Sequence, residues 1–364
     1  MKIALSIFVL LSLLLSPALA ETTQVVTVGI ATVLTGDAAI IGSNIQKTVE
    51  TYRRHRLRHP IKFIFEDARK SSSDGLTAYR KLINLDRVDV IIGATTSNGT
   101  LAGAALVNRS RTVLLTPLTG GLNIDRAGPY IFRVGNSDIL NGYQQADLFL
   151  SRGFKNVALI TEQTEYTTDI AEHFKRRFTE KGGQITLHEE FLPDSTDFRS
   201  LILKIKASKP QALFMSTQTG LAFGLFLKQF SQIAADQKIE IHTNFLSADN
   251  PDARQAAGDA IYGVHYMAPA YDRANPKLVQ FVEEFKQDHG AEPSITFHTA
   301  GTVDSLDMLQ AYLDGSSSFS REGFHDYLLK QIKNYQGLMG TYSFDSEGNA
   351  DIGFTPQIIE RKGA

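Results

Sequence analysis

The chain has 364 residues, 37 basic and 39 acidic side chains, a formal net charge of −2, and no cysteine. This balanced charge argues against nucleic acid as a partner. The length exceeds what one hydrophobic core usually organises, so two domains are expected. Without cysteine there are no disulfides and no lipid-linked N-terminal cysteine, and the fold must be stabilised by its core alone.

The first residues predict export from the cytoplasm. Lys2 precedes an apolar run too short to span a bilayer, and the run ends in Ala18-Leu19-Ala20, a small-residue pattern typical of signal-peptide cleavage. We expect residues 1–20 to be a signal peptide and the mature chain to be a soluble protein of the bacterial periplasm. The alternative is a retained membrane anchor.

Strands and helices then alternate. A first strand near residues 25–30, a second near 61–65 and a third near 88–92 are each followed by a polar turn and a helix. Val113–Leu115 is the next strand, which predicts two loops, 94–99 and 116–121, at the carboxyl ends of neighbouring parallel strands. Ligands bind at that edge in such sheets. Ser97 stands at a helix start, where free N–H groups and the helix dipole favour an anion.

The alternation begins again after a break at Asn136-Ser137-Asp138 and continues to about residue 267. Beyond Pro269 the pattern is helical, and two short strands close the chain. The fold class predicted is therefore α/β, with two open, doubly wound lobes. The late helices should return to the first lobe, and the last strands should complete the second.

The sequence lacks several motifs of catalysis. It contains no cysteine nucleophile, no Gly-x-Ser-x-Gly elbow, and no Walker or Gly-x-Gly-x-x-Gly phosphate loop. We therefore expect a binding protein, not an enzyme, with no cofactor and no metal. A Ser-based site assembled only in three dimensions is the enzyme alternative.

Six segments, in this order and spacing, resemble type I periplasmic binding proteins, and most closely the leucine/isoleucine/valine-binding branch that serves ABC transporters. These segments are IGATTSNGT (Ile92–Thr100), LLTPLTGG (Leu114–Gly121), YIFRVGNSD (Tyr130–Asp138), ALITEQTEY (Ala158–Tyr166), FLSADN (Phe245–Asn250) and GLMGTYSFDSEGNA (Gly337–Ala350).

The resemblance implies two interleaved lobes joined by a three-crossover hinge, with the ligand cleft between them. Residues 24–135 and 270–343 would form the N-terminal lobe, and residues 136–269 and 344–364 the C-terminal lobe. The crossovers would lie near Val134–Ser137, Ala268–Tyr271 and Ser343–Ser346.

The resemblance also implies a binding site for an amino acid. Ser97 and the N–H of Gly120 would hold the α-carboxylate, while the carbonyl of Leu118 and the carboxylate of Asp249 would hold the α-ammonium. Tyr166 would close over the ligand. The expected set includes two more hydroxyl residues of the first-lobe loops, Thr96 and Thr119. Alternatively, Asp249 only caps the following helix, and Tyr166 is a rim residue.

Several positions depart from the branched-chain binders, among them Gly120, which replaces a hydroxyl residue, and Asp249, which stands where those proteins have a glutamate. Ile41 stands where those proteins have an aromatic residue, and Gln218 stands where they have a tyrosine. Ile41 would leave the floor of the pocket apolar but without an aromatic ring, and the amide of Gln218 could hydrogen-bond a polar tail of the ligand. These features favour an amino acid or a close analogue as the ligand. A neutral amide or a small carboxylate remains open.

The function expected is capture of this small molecule by hinge closure and delivery to inner-membrane ABC permease subunits, by a protein that is a monomer. The alternative is a ligand sensor or regulatory binding protein that is not coupled to transport.

Overall fold

The computed structural model describes residues 24–36, 39–69, 71–94, 96–248 and 250–361. The predicted signal peptide and Asp249 lie outside these ranges. Within them, no helix is both long and apolar enough to cross a lipid bilayer.

Two six-stranded sheets organise the chain. The first has the strand order β2-β1-β3-β4-β5-β13 and is parallel throughout; the second has the order β7-β6-β8-β9-β10-β14, and only β14 runs antiparallel. Their strands are β1 (Val26–Thr32), β2 (Ile61–Asp67), β3 (Val90–Ala94), β4 (Val113–Thr116), β5 (Ile131–Val134), β6 (Asn156–Glu162), β7 (Gln184–Phe191), β8 (Ala212–Ser216), β9 (Glu240–Asn244), β10 (His265–Pro269), β13 (Asn349–Ala350) and β14 (Phe354–Ile358). A separate antiparallel pair joins β11 (Tyr335–Gln336) to β12 (Thr341–Tyr342).

Helices cover both faces of each sheet. They are α1 (Ala39–His55), α2 (Ser72–Arg80), α3 (Ser97–Ser110), α4 (Asp138–Ser151), α5 (Glu165–Glu180), α6 (Arg199–Ser208), α7 (Gly220–Ile233), α8 (Phe245–Ala248), α9 (Pro251–Ala257), α10 (Pro276–His289), α11 (Thr296–Asp314) and α12 (Arg321–Gln331). Each sheet contributes to two buried apolar clusters, one on each face. The predicted α/β fold with two parallel-sheet lobes is confirmed.

The late helices return to the first sheet, as expected. Apolar residues of α10, α11 and α12 share a core with β1, β3 and β4. This return follows from the sequence, because helices with a continuous apolar face must cover a sheet that would otherwise stay exposed.

Three connections join the lobes, at residues 135–137, 270–275 and 351–353. The third lies further along the chain than the expected Ser343–Ser346. The reason is that Asn349 and Ala350 pair with Arg133 and Val134 of β5 and so belong to the first sheet. Only β14 adds to the second sheet, where it pairs with β10.

Hydrogen bonds link these connections to one another. The Asn136 amide donates to the carbonyl of Gly353 at 2.6 Å and accepts from the N–H of Ile352 at 2.9 Å. The N–H of Ala270 donates to the same Gly353 carbonyl at 2.9 Å. All three crossovers therefore meet in one hydrogen-bonded group.

A buried arginine supports this group. Arg133, only 1% exposed, donates to both carboxylate oxygens of Asp351 at 3.1 Å and to Asp125 at 2.8 Å. It also donates to the carbonyls of Gly135 and Ala350. Because a guanidinium carries several donors in a fixed plane, one side chain can bind the first and third crossovers together.

Candidate functional site

The loop after β3 places two hydroxyls at the start of α3. Thr96 is the N-cap, and its side chain accepts a hydrogen bond from the N–H of Gly99 at 3.2 Å. Ser97 is the first helical residue, and its hydroxyl oxygen accepts from the N–H of Gly121 at 3.3 Å. The capping role therefore falls to Thr96, and Ser97 instead joins the two first-lobe loops that were expected to face one crevice.

The loop after β4 is tightly packed. The hydroxyls of Thr116 and buried Thr119 hydrogen-bond each other, and half-buried Leu118 packs against the core of the first lobe. The carbonyl of Gly120 accepts from the N–H of Asp138 at 2.7 Å. A Cβ at residue 120 would lie 2.5 Å from the Asp138 carboxylate, so glycine is required here by close approach. This explains why the position carries no hydroxyl side chain.

Asp138 was not predicted as a site residue. It begins α4 directly after the first crossover, and it is 4% exposed. Its Oδ2 atom is buried and has no hydrogen-bond partner among the residues that the structure describes. Burial, reinforced by the negative charge of Asp169, raises the pKa of Asp138 well above its ordinary value. The sequence pattern showed only a break at this point, because burial of one carboxylate depends on tertiary packing.

The start of α5 in the second lobe brings three further polar groups beside Asp138. Burial and the charge of Asp138 raise the pKa of Tyr166, and burial followed by the charge of Asp169 raises the pKa of Glu165. The Tyr166 hydroxyl and one Glu165 oxygen are buried without a hydrogen-bond partner in the described part of the chain. A Cβ on Gly121 would lie 3.5 Å from an Asp169 oxygen. The second-lobe acids therefore face the first-lobe loop that carries Gly120 and Gly121.

This arrangement of two parallel sheets, with loops meeting between them, can be compared with known proteins. A family model described as periplasmic binding protein matches residues 25–352. The chain belongs to this family. Its members are solute-binding proteins.

Relatives of this periplasmic binding protein include Leu/Ile/Val-binding protein homolog 2 of Brucella abortus, which is 23% identical and aligns over 92% of this chain and 90% of its own length. Among solved structures, the leucine-binding protein LivK from Thermotoga maritima has a TM-score of 0.80 at 21% identity, covering 93% of this chain and 96% of the other. A Rhodopseudomonas palustris solute-binding protein in complex with 3,4-dihydroxybenzoic acid has a TM-score of 0.79 at 23% identity, covering 93% and 94%.

In this periplasmic binding protein a buried acid shapes the second-lobe loop that carries Gln218. Glu162, at the end of β6, accepts from the hydroxyl of Thr217 at 2.6 Å and from the N–H groups of Gln218 and Thr219 at 2.8 and 3.0 Å. It also accepts from the Thr219 hydroxyl. Glu162 thus fixes the backbone at Gln218, while the Gln218 side chain stays half-buried.

The remaining predicted site residues receive less support. Ile41 is half-buried in the first turn of α1, next to the Gly42 N–H, which donates to the carbonyl of Val33 just after β1. Asp249 lies outside the described residues. The next residue, Asn250, caps α9 by accepting from the N–H of Asp252 at 2.9 Å. The roles of Ile41, Asp249 and the other predicted site residues in ligand binding stay predictions.

Aromatic side chains join the lobes near the second crossover. The ring of Phe297 at the start of α11 lies 6.4 Å from that of Phe245 in α8 and 5.6 Å from that of Tyr271, measured between centroids. Strand β9 ends at Asn244, and Phe245 begins the short helix α8. This contact could not be predicted, since its members are separated by tens of residues along the chain.

Proposed function

We propose that this periplasmic binding protein captures an amino acid or an amine-bearing analogue between its lobes and delivers it to inner-membrane ABC permease subunits. One observation carries the choice of an amine: the buried Asp138 carboxylate, with an oxygen that lacks a hydrogen-bond partner in the described part of the chain, at the meeting point of loops from both lobes.

Charge supports an amine over a simple acid. The negative charge of Asp169 raises the pKa of both Asp138 and Glu165, and the charge of Glu165 also raises the pKa of Asp138. Desolvated like charges are unfavourable unless a cation or a proton neutralises them. A ligand ammonium beside Asp138 would supply that cation and a donor for the unpaired oxygen. A carboxylate without an amine would add to the repulsion.

The other end of the ligand would meet the first lobe. The oxygen of Ser97 already accepts from Gly121, which leaves its O–H to donate to a carboxylate. The same serine opens the 14-residue helix α3, whose positive dipole end favours an anion. Ser97, the N–H of Gly120 and the loop between them therefore suit an α-carboxylate, as the resemblance implied.

Closure follows from contacts that require both lobes. Tyr166 and Gln218 belong to the second lobe, and Asp249 is proposed to share the ammonium with Asp138. A ligand shifts a protein toward the closed form only by binding that form more tightly. The carboxylate of the ligand would bind the first lobe. The amine of the ligand would add the contacts with the second lobe that favour the closed form.

The test is a binding screen with the mature protein. Thermal shift followed by calorimetry would compare amino acids, diamines, amides, small carboxylates and aromatic acids, where a ligand at 100 times its Kd adds about 2.7 kcal/mol. We expect amine-bearing compounds to bind. Asp138→Asn should weaken them by about 2–5 kcal/mol, or 30-fold or more, because a buried charge loses its partner. Asp194→Asn, at an exposed loop position, is the control.

Binding only by carboxylates that lack an amine would overturn the choice of ligand. Equal affinities of the Asp138→Asn and Asp194→Asn variants would remove Asp138 from the site. Delivery is tested separately, by ligand uptake into vesicles that contain the permease. Tight binding without uptake would support the sensor alternative.

A further inference from the structure

Three potential metal ligands share one face of the second sheet. Glu240 and His242 are alternate residues of β9, so their side chains point to the same side. His265, the first residue of β10, is the register partner of His242 in the parallel pairing. These residues lie at the starts of their strands, whereas the ligand cleft lies at the strand ends. The cluster is therefore separate from the site already described.

The ligand atoms of these side chains converge. The Nε2 atom of His242 is 2.6 Å from Oε1 of Glu240, and the Nε2 atom of His265 is 3.7 Å from the same oxygen. All three ligand atoms lie within 4.8 Å of one another. In a tetrahedral zinc site with bonds near 2.0–2.1 Å, neighbouring ligand atoms are about 3.3 Å apart. The observed separations bracket this value.

We propose that Glu240, His242 and His265 bind a divalent transition metal ion, with zinc as the preferred ion and water at a fourth position. Two imidazoles and one carboxylate are a common donor set for zinc with an open coordination site. The ion would reach the site from solvent, since the side chains of His265 and Glu240 are 18% and 24% exposed. His242, at 0%, would form the floor.

A buried amide behind His242 supports this assignment. Gln145 of α4 is fully buried, and its nitrogen lies 2.9 Å from Nδ1 of His242. Its Oε1 atom has no hydrogen-bond partner in the described part of the chain. A histidine that binds metal through Nε2 carries its proton on Nδ1 and needs an acceptor there. Rotation of the Gln145 amide by half a turn supplies that acceptor, because its oxygen and nitrogen occupy equivalent places.

Two features of the site disfavour metal binding in the observed conformation, and both can be tested. Arg152 donates to Oε2 of Glu240 at 2.6 Å, so its positive charge lies near the site while Oε1 stays available. The rings of His242 and His265 stack at 17°, with centroids 4.9 Å apart, and parallel rings cannot both direct in-plane nitrogens at one ion. His265, the more exposed of the two, must rotate on binding.

The experiment uses the mature protein without a histidine tag, freed of metal by a chelator and titrated with zinc chloride by calorimetry. Cobalt(II) chloride is a second probe, because its visible absorption reports the coordination geometry. We expect one ion per chain. His265→Ala and Glu240→Gln should each weaken binding at least about tenfold, while Arg152→Ala should strengthen it by removing the opposing charge. Circular dichroism checks the folding of each variant.

His325→Ala is the matched control, since His325 is a partly exposed histidine of the first lobe. It should leave the zinc titration unchanged. The proposal is overturned if the protein binds no stoichiometric zinc, or if the His265→Ala and Glu240→Gln variants bind within twofold of the wild type. Loss of binding in the control as well as in the site variants would also overturn it, because the zinc would then be held by scattered surface histidines.

Discussion

Replacing Gly120 by alanine tests the tight contact between the first-lobe loop and the first crossover. A Cβ at this position would lie 2.5 Å from the Asp138 carboxylate and 2.7 Å from the carbonyl oxygen of Asn136. Ordinary van der Waals contact requires about 0.7 Å more from that carbonyl. The Asn136 backbone cannot easily move, because its side chain hydrogen-bonds both Gly353 and Ile352. Overpacking of this kind costs about 1–3 kcal/mol.

The assay is urea unfolding of the ligand-free protein, so the prediction does not depend on knowing the ligand. Gly120→Ala should lower the free energy of unfolding by about 1–3 kcal/mol. The control is Gly315→Ala at the end of α11, where φ is −98° and the nearest atom to a new Cβ lies 3.9 Å away. That variant should stay within about 0.5 kcal/mol of the wild type. Equal midpoints for the two variants would refute the proposed packing of Gly120 against Asp138 and Asn136.

Three other substitutions test the surrounding structure. Arg133→Lys keeps the charge but loses the paired bonds to Asp351, and should cost about 2 kcal/mol in urea unfolding; an unchanged midpoint would contradict the role of the guanidinium. Glu162→Gln replaces one of the two carboxylate oxygens that together accept four hydrogen bonds by an amide donor, and it removes the charge that strengthens the remaining bonds. It should cost about 1–3 kcal/mol, with faster amide exchange at Gln218 as the local measurement. Burial lowers the pKa of His298 to about 4. Between about pH 6.5 and 4 the unfolded chain therefore binds more protons than the folded chain. The free energy of unfolding must then fall by about 3 kcal/mol as the pH falls through that window. His298→Gln should remove this contribution, which unfolding midpoints at pH 7 and pH 4.5 would measure; an identical pH dependence in both proteins would contradict it.

The fold could be predicted because its determinants are local. Apolar runs such as Val113–Leu115 are continuous where a parallel strand is buried on both faces, and polar turns follow at the binding edge. The third crossover was harder to place. Asn349 and Ala350 pair with β5 over only two residues, which is too short to show a strand pattern.

The site was predictable only in part. Ser97 and Gly120 stand in loops whose position follows from strand order, and these loops do contact each other. Asp138 could not be predicted, because its importance comes from burial between the start of α5 and the first-lobe loop at Gly120. Glu240 and His265 are likewise distant in sequence, and strand register alone brings them to one face.

The shared carbonyl of Gly353 has a mechanical consequence. Since it accepts from Asn136 in the first connection and from Ala270 in the second, neither can twist without disturbing the other. Arg133 extends the same restraint to Asp351. We therefore expect any motion that bends one of the three segments to bend the other two as well, so that opening and closing of the cleft would be one coordinated movement.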